Sequence, residues 1–123
     1  MADKGQQVPI VIYPRFTTLF GGLPLESYAI DVSPYEAITL NWWTTPLGGT
    51  GVLSCSMTFS ESIDRITWQP FSGVSPWVPI PGNEVSQYLK FSSRWFRVTL
   101  TMVGTNPLLT TWLEGMLILR RRL

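Results

Sequence analysis

Two segments of the chain alternate apolar and polar residues with hardly a break. In Val52–Ser60, Leu53, Cys55, Met57 and Phe59 fall on one side, and Ser54, Ser56, Thr58 and Ser60 on the other. In Trp95–Val103, Phe96, Val98, Leu100 and Met102 oppose Arg97, Thr99 and Thr101. Successive side chains of a strand leave opposite faces of the pleat, so a period of two predicts strands with one buried face. Shorter runs follow the same rule. Tyr28, Ile30 and Val32 alternate until Ser33-Pro34 stops them, and Glu36–Trp43 sets Ile38, Leu40 and Trp42 against Thr39, Asn41 and Trp43. Val85–Phe91 alternates more loosely, and Ile66–Trp68 is predicted as a short strand after a turn at 61–65.

Gly21-Gly22, Gly48–Gly51 and Gly104-Thr105-Asn106-Pro107 are predicted as turns or loops between strands. The stretch 69–84 carries Pro70, Gly73, Pro76, Pro79, Pro81 and Gly82, which excludes helix and predicts a long loop. Residues 1–8 read as a loose arm. Pro9–Phe20 is extended, and Pro14, which cannot donate to a ladder, suits an edge strand or an arm lying along a surface. The expectation is an all-β, antiparallel β-sandwich or jelly roll of about eight strands. An extended N-terminal arm over 1–22 precedes a sandwich domain over 23–123.

The final strand, Leu108–Arg120, breaks the simple pattern. Leu109, Leu113, Leu117 and Leu119 share one face, but Trp112, Met116 and Ile118 occupy the other. A strand apolar on both faces must be covered on both. The cover can come from the arm or the proline-rich loop of the same chain, or from another subunit. Trp42 beside Trp43 poses the same problem, and Trp43 is expected to be the one facing outward. Glu114 within this strand reads as an ion pair with Arg94 or Arg97 across the sheet, or as a subunit contact. Trp68 and Trp95 are expected to anchor the core.

Composition sharpens the question of cover. Only 14% of the 123 residues are charged, against about 25% in a typical domain. Aromatics reach 13%, with six Trp and six Phe. So little polar material leaves apolar surface to be sheltered by other chains, which predicts a homo-oligomer or a larger assembly. The contact residues expected from this reasoning are Trp43, Trp112, Glu114, Met116 and the tail Arg120, Arg121 and Arg122.

Chemistry is sparse. The chain has no His, the commonest general base and a common metal ligand. It has neither a phosphate-binding Gly-x-x-x-x-Gly-Lys-Ser/Thr loop nor Cys-x-x-Cys spacing. Glu61 and Asp64 flank a predicted turn, where local backbone bonding explains them. Cys55 stands alone on an apolar face and reads as a packed thiol. The expectation is no enzyme, no cofactor and no metal. A net charge of +1 gives no nucleic-acid footprint. The polar start lacks the apolar stretch of a signal peptide, and Leu108–Leu119 is too short to span a bilayer, so no membrane partner is expected.

Phe59-Ser60-Glu61-Ser62-Ile63-Asp64-Arg65-Ile66-Thr67-Trp68 resembles the ES-x-D-x-x-x-W strand–turn–strand of galactose-binding-like, discoidin-type jelly rolls. Phe91–Leu100, with Arg94-Trp95-Phe96-Arg97-Val98, is similar to the later RYVRV strand of those modules. The pair, followed by Gly-Thr-Asn-Pro and a strand ending in Gly-x-Leu, also resembles small β-sandwich proteins of tailed-phage virions. Arg65 stands where such modules usually place Gly, and the first third holds no acidic calcium loop, so sugar binding does not carry over directly. The resemblance implies a structural protein of a tailed-phage particle, such as a capsid decoration or auxiliary protein. Such a protein would be assembled in the host cytoplasm, with other virion proteins as partners. The alternative is a carbohydrate-binding module in which exposed Trp77 and Tyr88 stack on a glycan. Single-stranded nucleic-acid binding is the weaker third reading, because the basic residues are not spread along a groove.

Overall fold

The computed structural model describes residues 6–71 and 73–120. It is all-β: β1 (Gln7–Phe20), β2 (Leu25–Glu26), β3 (Ile30–Asp31), β4 (Tyr35–Thr44), β5 (Gly48–Ser62), β6 (Gln69–Pro70), β7 (Val85–Lys90) and β8 (Trp95–Leu119). Every ladder is antiparallel.

The spine is β8. Along one flank, β1, β2 and β3 follow one another antiparallel to it, from Gln7 opposite Ile118 to Asp31 opposite Trp95. Along the other, β4 and β5 do the same, from Tyr35 opposite Leu119 to Ser62 opposite Trp95. A straight strand of 25 residues would measure about 80 Å at ~3.3 Å per residue. Yet β3 ends beside one end of β8 and β4 starts beside the other. Only Val32-Ser33-Pro34 joins them, a corner that reaches at most about 14 Å. Val32 N–H donates to the Arg94 carbonyl at 2.7 Å, and Arg120 N–H to the Pro34 carbonyl at 3.0 Å. The three-stranded ribbon is therefore folded back on itself into two layers. The first layer holds β1, the C-terminal half of β8, β4 and β7. The second holds β2, β3, the N-terminal half of β8, β5 and β6.

The fold line is a row of glycines. Gly21 N–H donates to the Pro107 carbonyl at 3.2 Å, and Gly48 and Thr50 lie opposite Leu108 and Thr105. The breakers predicted to separate strands thus sit abreast, and β8 runs unbroken through its own. The expected turn at 104–107 is a crease within β8: β5 shifts register against it between Gly48 and Ser54, and β1 and β2 pair with β8 on either side of it. Gly49 and Gly104 adopt φ of +125° and +144°, values L side chains rarely take. A Cβ at Gly49 would lie 2.8 Å from the Thr105 carbonyl oxygen, and one at Gly104 would meet the Leu53 side chain.

Inside, the alternating faces meet as predicted: Met57 and Phe59 from β5, Phe96, Val98, Leu100 and Met102 from β8, and Ile38, Leu40 and Trp42 from β4 are all buried. From the last strand, Leu109, Leu113 and Leu117 join them. The proline-rich segment supplies a plug. Trp77 exchanges two 2.8 Å backbone hydrogen bonds with Met57, and its ring packs 5.2 Å from that of Trp42 and 5.9 Å from that of Phe59. Trp42 and Trp77 are therefore the core indoles. Trp68 and Trp95, expected there, are only half-buried and lie against arginines instead. Trp95 follows the alternation outward once Phe96 points in. Ile66–Trp68 is not a strand, because the Asp64 carboxylate accepts from Ile66 and Thr67 N–H at 2.8 and 3.0 Å and holds them in the turn.

Candidate interaction surface

The pairing of β1 with β8 slips near its middle. Tyr13 lies opposite Leu113 and Thr17 opposite Thr111, so Pro14, Arg15 and Phe16 arch over one β8 residue, Trp112. Thr17 Oγ1 donates to the Pro14 carbonyl at 2.6 Å and closes the arch. Phe16 takes φ +63°, a conformation that costs a bulky residue strain.

The arch places two side chains over the paired indoles. The Arg15 guanidinium lies 4.2 Å above the Trp112 ring. Its Nε and Nη2 donate to Glu114 Oε2 and Oε1, each at 3.0 Å. Phe16 meets Trp43 edge-on at 5.8 Å, and Trp43 sits beside Trp112 in the β4–β8 register. The hydrogen bond from Arg15 holds the Glu114 carboxyl below the usual range. Trp112 is left 5% exposed, while Phe16 is 67% exposed. The chain's own N-terminal segment thus covers the outer face of the last strand at Trp112.

Past the arch this face carries further exposed apolar residues. Val11 and Phe20 from β1, Leu108 and Met116 from β8, and Tyr88 from β7 are all exposed, Met116 by 38% and Tyr88 by 57%. Tyr88 and Met116 flank Thr39 in adjacent strands, so they form one patch.

The outer face of the second layer differs. Its β5 residues are Ser54, Ser56, Thr58 and Ser60. Its indoles lie under cations, with Arg97 4.2 Å over Trp68 and Arg65 and Arg94 at 4.5 and 5.1 Å over Trp95. Arg94 pairs with Asp31 at 3.0 Å and Arg97 with Glu26 at 2.9 Å. The Arg94 hydrogen bond, with the Ser33 N–H next, pulls the Asp31 carboxyl down to about 2. Cations cover the indoles of this face; on the other, beyond the arch, the hydrogen-bonded pairs Ser86–Asn41 and Thr18–Thr110 lie among the exposed apolar residues.

Of the residues predicted as contacts, Trp43, Trp112, Glu114 and Met116 share the outer face of the first layer. Glu114 pairs with Arg15, not with Arg94 or Arg97. Those two lie on the N-terminal half of β8, which folds into the opposite layer. Arg120 stands apart, its Nε donating to the Ser33 carbonyl at 3.0 Å at the corner. Arg121 and Arg122 lie outside the described residues. Trp77 and Tyr88 do not form one platform. Trp77 is 8% exposed with neighbours on its ring, whereas Tyr88 points out from the first layer. Burial pushes the Cys55 thiol up to about 11. Among the described residues no three His, Cys, Asp or Glu side chains gather as metal ligands would. Arg15 and Phe16 were not singled out from sequence; their only signal was Pro14 interrupting the apolar run.

No protein-family model matches the chain, and no curated protein matches it. Solved structures do. A chain in the structure of infectious bursal disease virus, Gx strain, superposes over 96% of this chain with a TM-score of 0.64 at 7% identity. A chain of the Gt strain superposes over 95% with a TM-score of 0.56 at 8% identity. This chain spans about a third of each, 33% and 32% of their lengths. The fold is thus an antiparallel jelly-roll-type sandwich of a kind found within the chains of a virus particle.

Proposed function

We propose that this chain is a non-enzymatic structural component of a virus particle, acting through protein–protein contacts. One observation carries the reading: Val11, Met116 and Tyr88 are exposed on the outer face of the first layer, whereas the indoles of the opposite face, Trp68 and Trp95, lie under arginines. The fold shared with chains of infectious bursal disease virus supports it. In this reading Tyr88 and Met116 are the first points of contact, beside Trp43, Trp112 and Glu114 held rigid under the arch. Burying apolar surface at ~25 cal/mol per Å² makes such a contact strong when symmetry repeats it. The finer assignment, an auxiliary or decorating protein of a tailed phage, rests on the motifs at Phe59–Trp68 and Phe91–Leu100.

Light scattering across a concentration series tests the assembly. Wild type is expected to associate at micromolar concentration, and Met116→Glu to remain monomeric while keeping its fold. A wild-type monomer at several hundred micromolar, with no retention on purified particles, would sink the proposal. The glycan alternative retains only Tyr88 of its two stacking residues.

A further inference from the structure

Most outer edges of the two layers are blunted. β1 carries Pro9 and Pro14 and breaks register at the arch, β2 and β3 are two residues each, and β6 is two residues ending in Pro70. Short strands, prolines and bulges keep a strand edge from pairing with another chain. β7, the last strand of the first layer, differs. Its six residues contain no Pro or Gly and pair with β4 without a register shift, and no strand pairs with the far side. Phe91 N–H donates to the Glu36 carbonyl at 2.9 Å, which fixes the residues of β7 that bond to β4. Bonded and unbonded residues alternate along an antiparallel ladder. Leu89, Gln87 and Val85 therefore turn their backbone groups to β4, and Ser86, Tyr88 and Lys90 turn theirs outward. No backbone hydrogen bond from another segment reaches those three among the described residues.

The charges along this edge complement themselves. Lys90, the one charge on β7, would repel an unmatched copy, and Glu84 stands just before the strand on the same exposed side. Neither forms an ion pair among the described residues. Glu84 is near enough to the outer face for its charge to act on Arg15, more weakly than Glu114 does. A second copy laid antiparallel about a two-fold axis at Gln87 sets Glu84 of each copy opposite Lys90 of the other. The same register sets Ser86 opposite Tyr88, so their outward backbone groups meet as hydrogen-bonded pairs. The two Tyr88 rings become diagonal neighbours, within reach of one another. With Met116, which Thr39 separates from Tyr88, they form one apolar strip across the join. Moving the axis to Tyr88 would put Lys90 opposite Ser86 and remove both charge pairs. We propose that two copies of this chain pair through β7, their first layers joining into one continuous antiparallel sheet. Such an interface is isologous, so every contact is made twice. It names a partner for the assembly proposed above and rests on that reading.

Light scattering and amide hydrogen exchange on the whole protein test the pairing. A dimer is expected in which the Ser86 and Tyr88 amides gain protection as concentration rises. Gln87 and Leu89, already bonded to β4, should be protected at every concentration. Glu84→Lys and Lys90→Glu are surface changes that keep the fold, and each should weaken dimerisation about tenfold, because like charges then face each other twice. Mixing the two variants should restore the affinity, since both cross-strand pairs are then of opposite charge. Association of the wild type with the Ser86 and Tyr88 amides unprotected would overturn the β7 pairing and leave the assembly reading standing. A mixture no tighter than either variant alone would do the same, as would a monomer retained on purified particles. A monomer that particles do not retain would remove both.

Discussion

Thr111 ties the two layers' central indole to the backbone, and replacing it tests how the core is held. Trp42 is wholly buried, and its Nε1–H donates to Thr111 Oγ1 at 2.8 Å; the Thr111 hydroxyl donates in turn to the Trp43 carbonyl at 2.7 Å. Thr111→Val preserves volume but removes both partners. The stranded indole N–H should cost about 1–3 kcal/mol and the lost carbonyl bond about 1 more, so the sum is expected near 2–4 kcal/mol. In a Trp42→Phe background no indole N–H remains to be stranded, and the same change should cost only about 1 kcal/mol. The coupling between the two sites is then about 1–3 kcal/mol. Urea unfolding of the four proteins, followed by circular dichroism, measures it, provided that all share one m value. Additivity within about 0.3 kcal/mol would refute the reasoning, because the hydrogen bond would then contribute nothing beyond the two side chains separately.

Gly115→Ala would place a Cβ 2.9 Å from the Thr39 carbonyl oxygen and 3.1 Å from Leu40 Cδ2, so β4 must shift. A loss of about 1–3 kcal/mol is expected in urea unfolding, and an unchanged midpoint would contradict the close approach of β4 and β8. Arg15→Ala should raise acrylamide quenching of Trp112 and return the Glu114 carboxyl toward its ordinary range in a carbon-detected pH titration; unchanged quenching would show that the arch does not need its arginine. Asp31 titrates at about 2 when folded against an ordinary 3.8, so its contribution is complete above pH ~4 and disappears as pH falls toward 2. The stability gap between wild type and Asp31→Asn should therefore close over that window, and a gap constant from pH 5 to 2 would exclude the Arg94 pairing as its source.

The alternation in Val52–Ser60 and Trp95–Val103 was enough to assign strands and their buried faces, because the period of two is a local property of the pleat. The doubly apolar last strand was equally visible as a demand for cover. What met that demand was not visible. Arg15 is 99 residues from Glu114, and only the register of β1 on β8 brings them within 3.0 Å. The same limit separates Glu114 from Arg94 and Arg97, which the sequence offers as partners but which fold into the other layer. It also explains the tryptophans: Trp77 reads as a loop residue until the two layers leave a gap for it beside Met57.

The glycines make the division clearest. Gly21, Gly49, Gly51 and Gly104 mark places where the backbone can bend, since only a residue without Cβ adopts their positive φ freely. Whether three bends are three separate hairpins or one crease through a continuous ribbon depends on which strands lie side by side. That is a matter of pairing between segments as far apart as Gly21 and Pro107. Local stereochemistry is written along the chain, but the register of distant strands is set by the packing of their buried faces, and that exists only once the chain has folded.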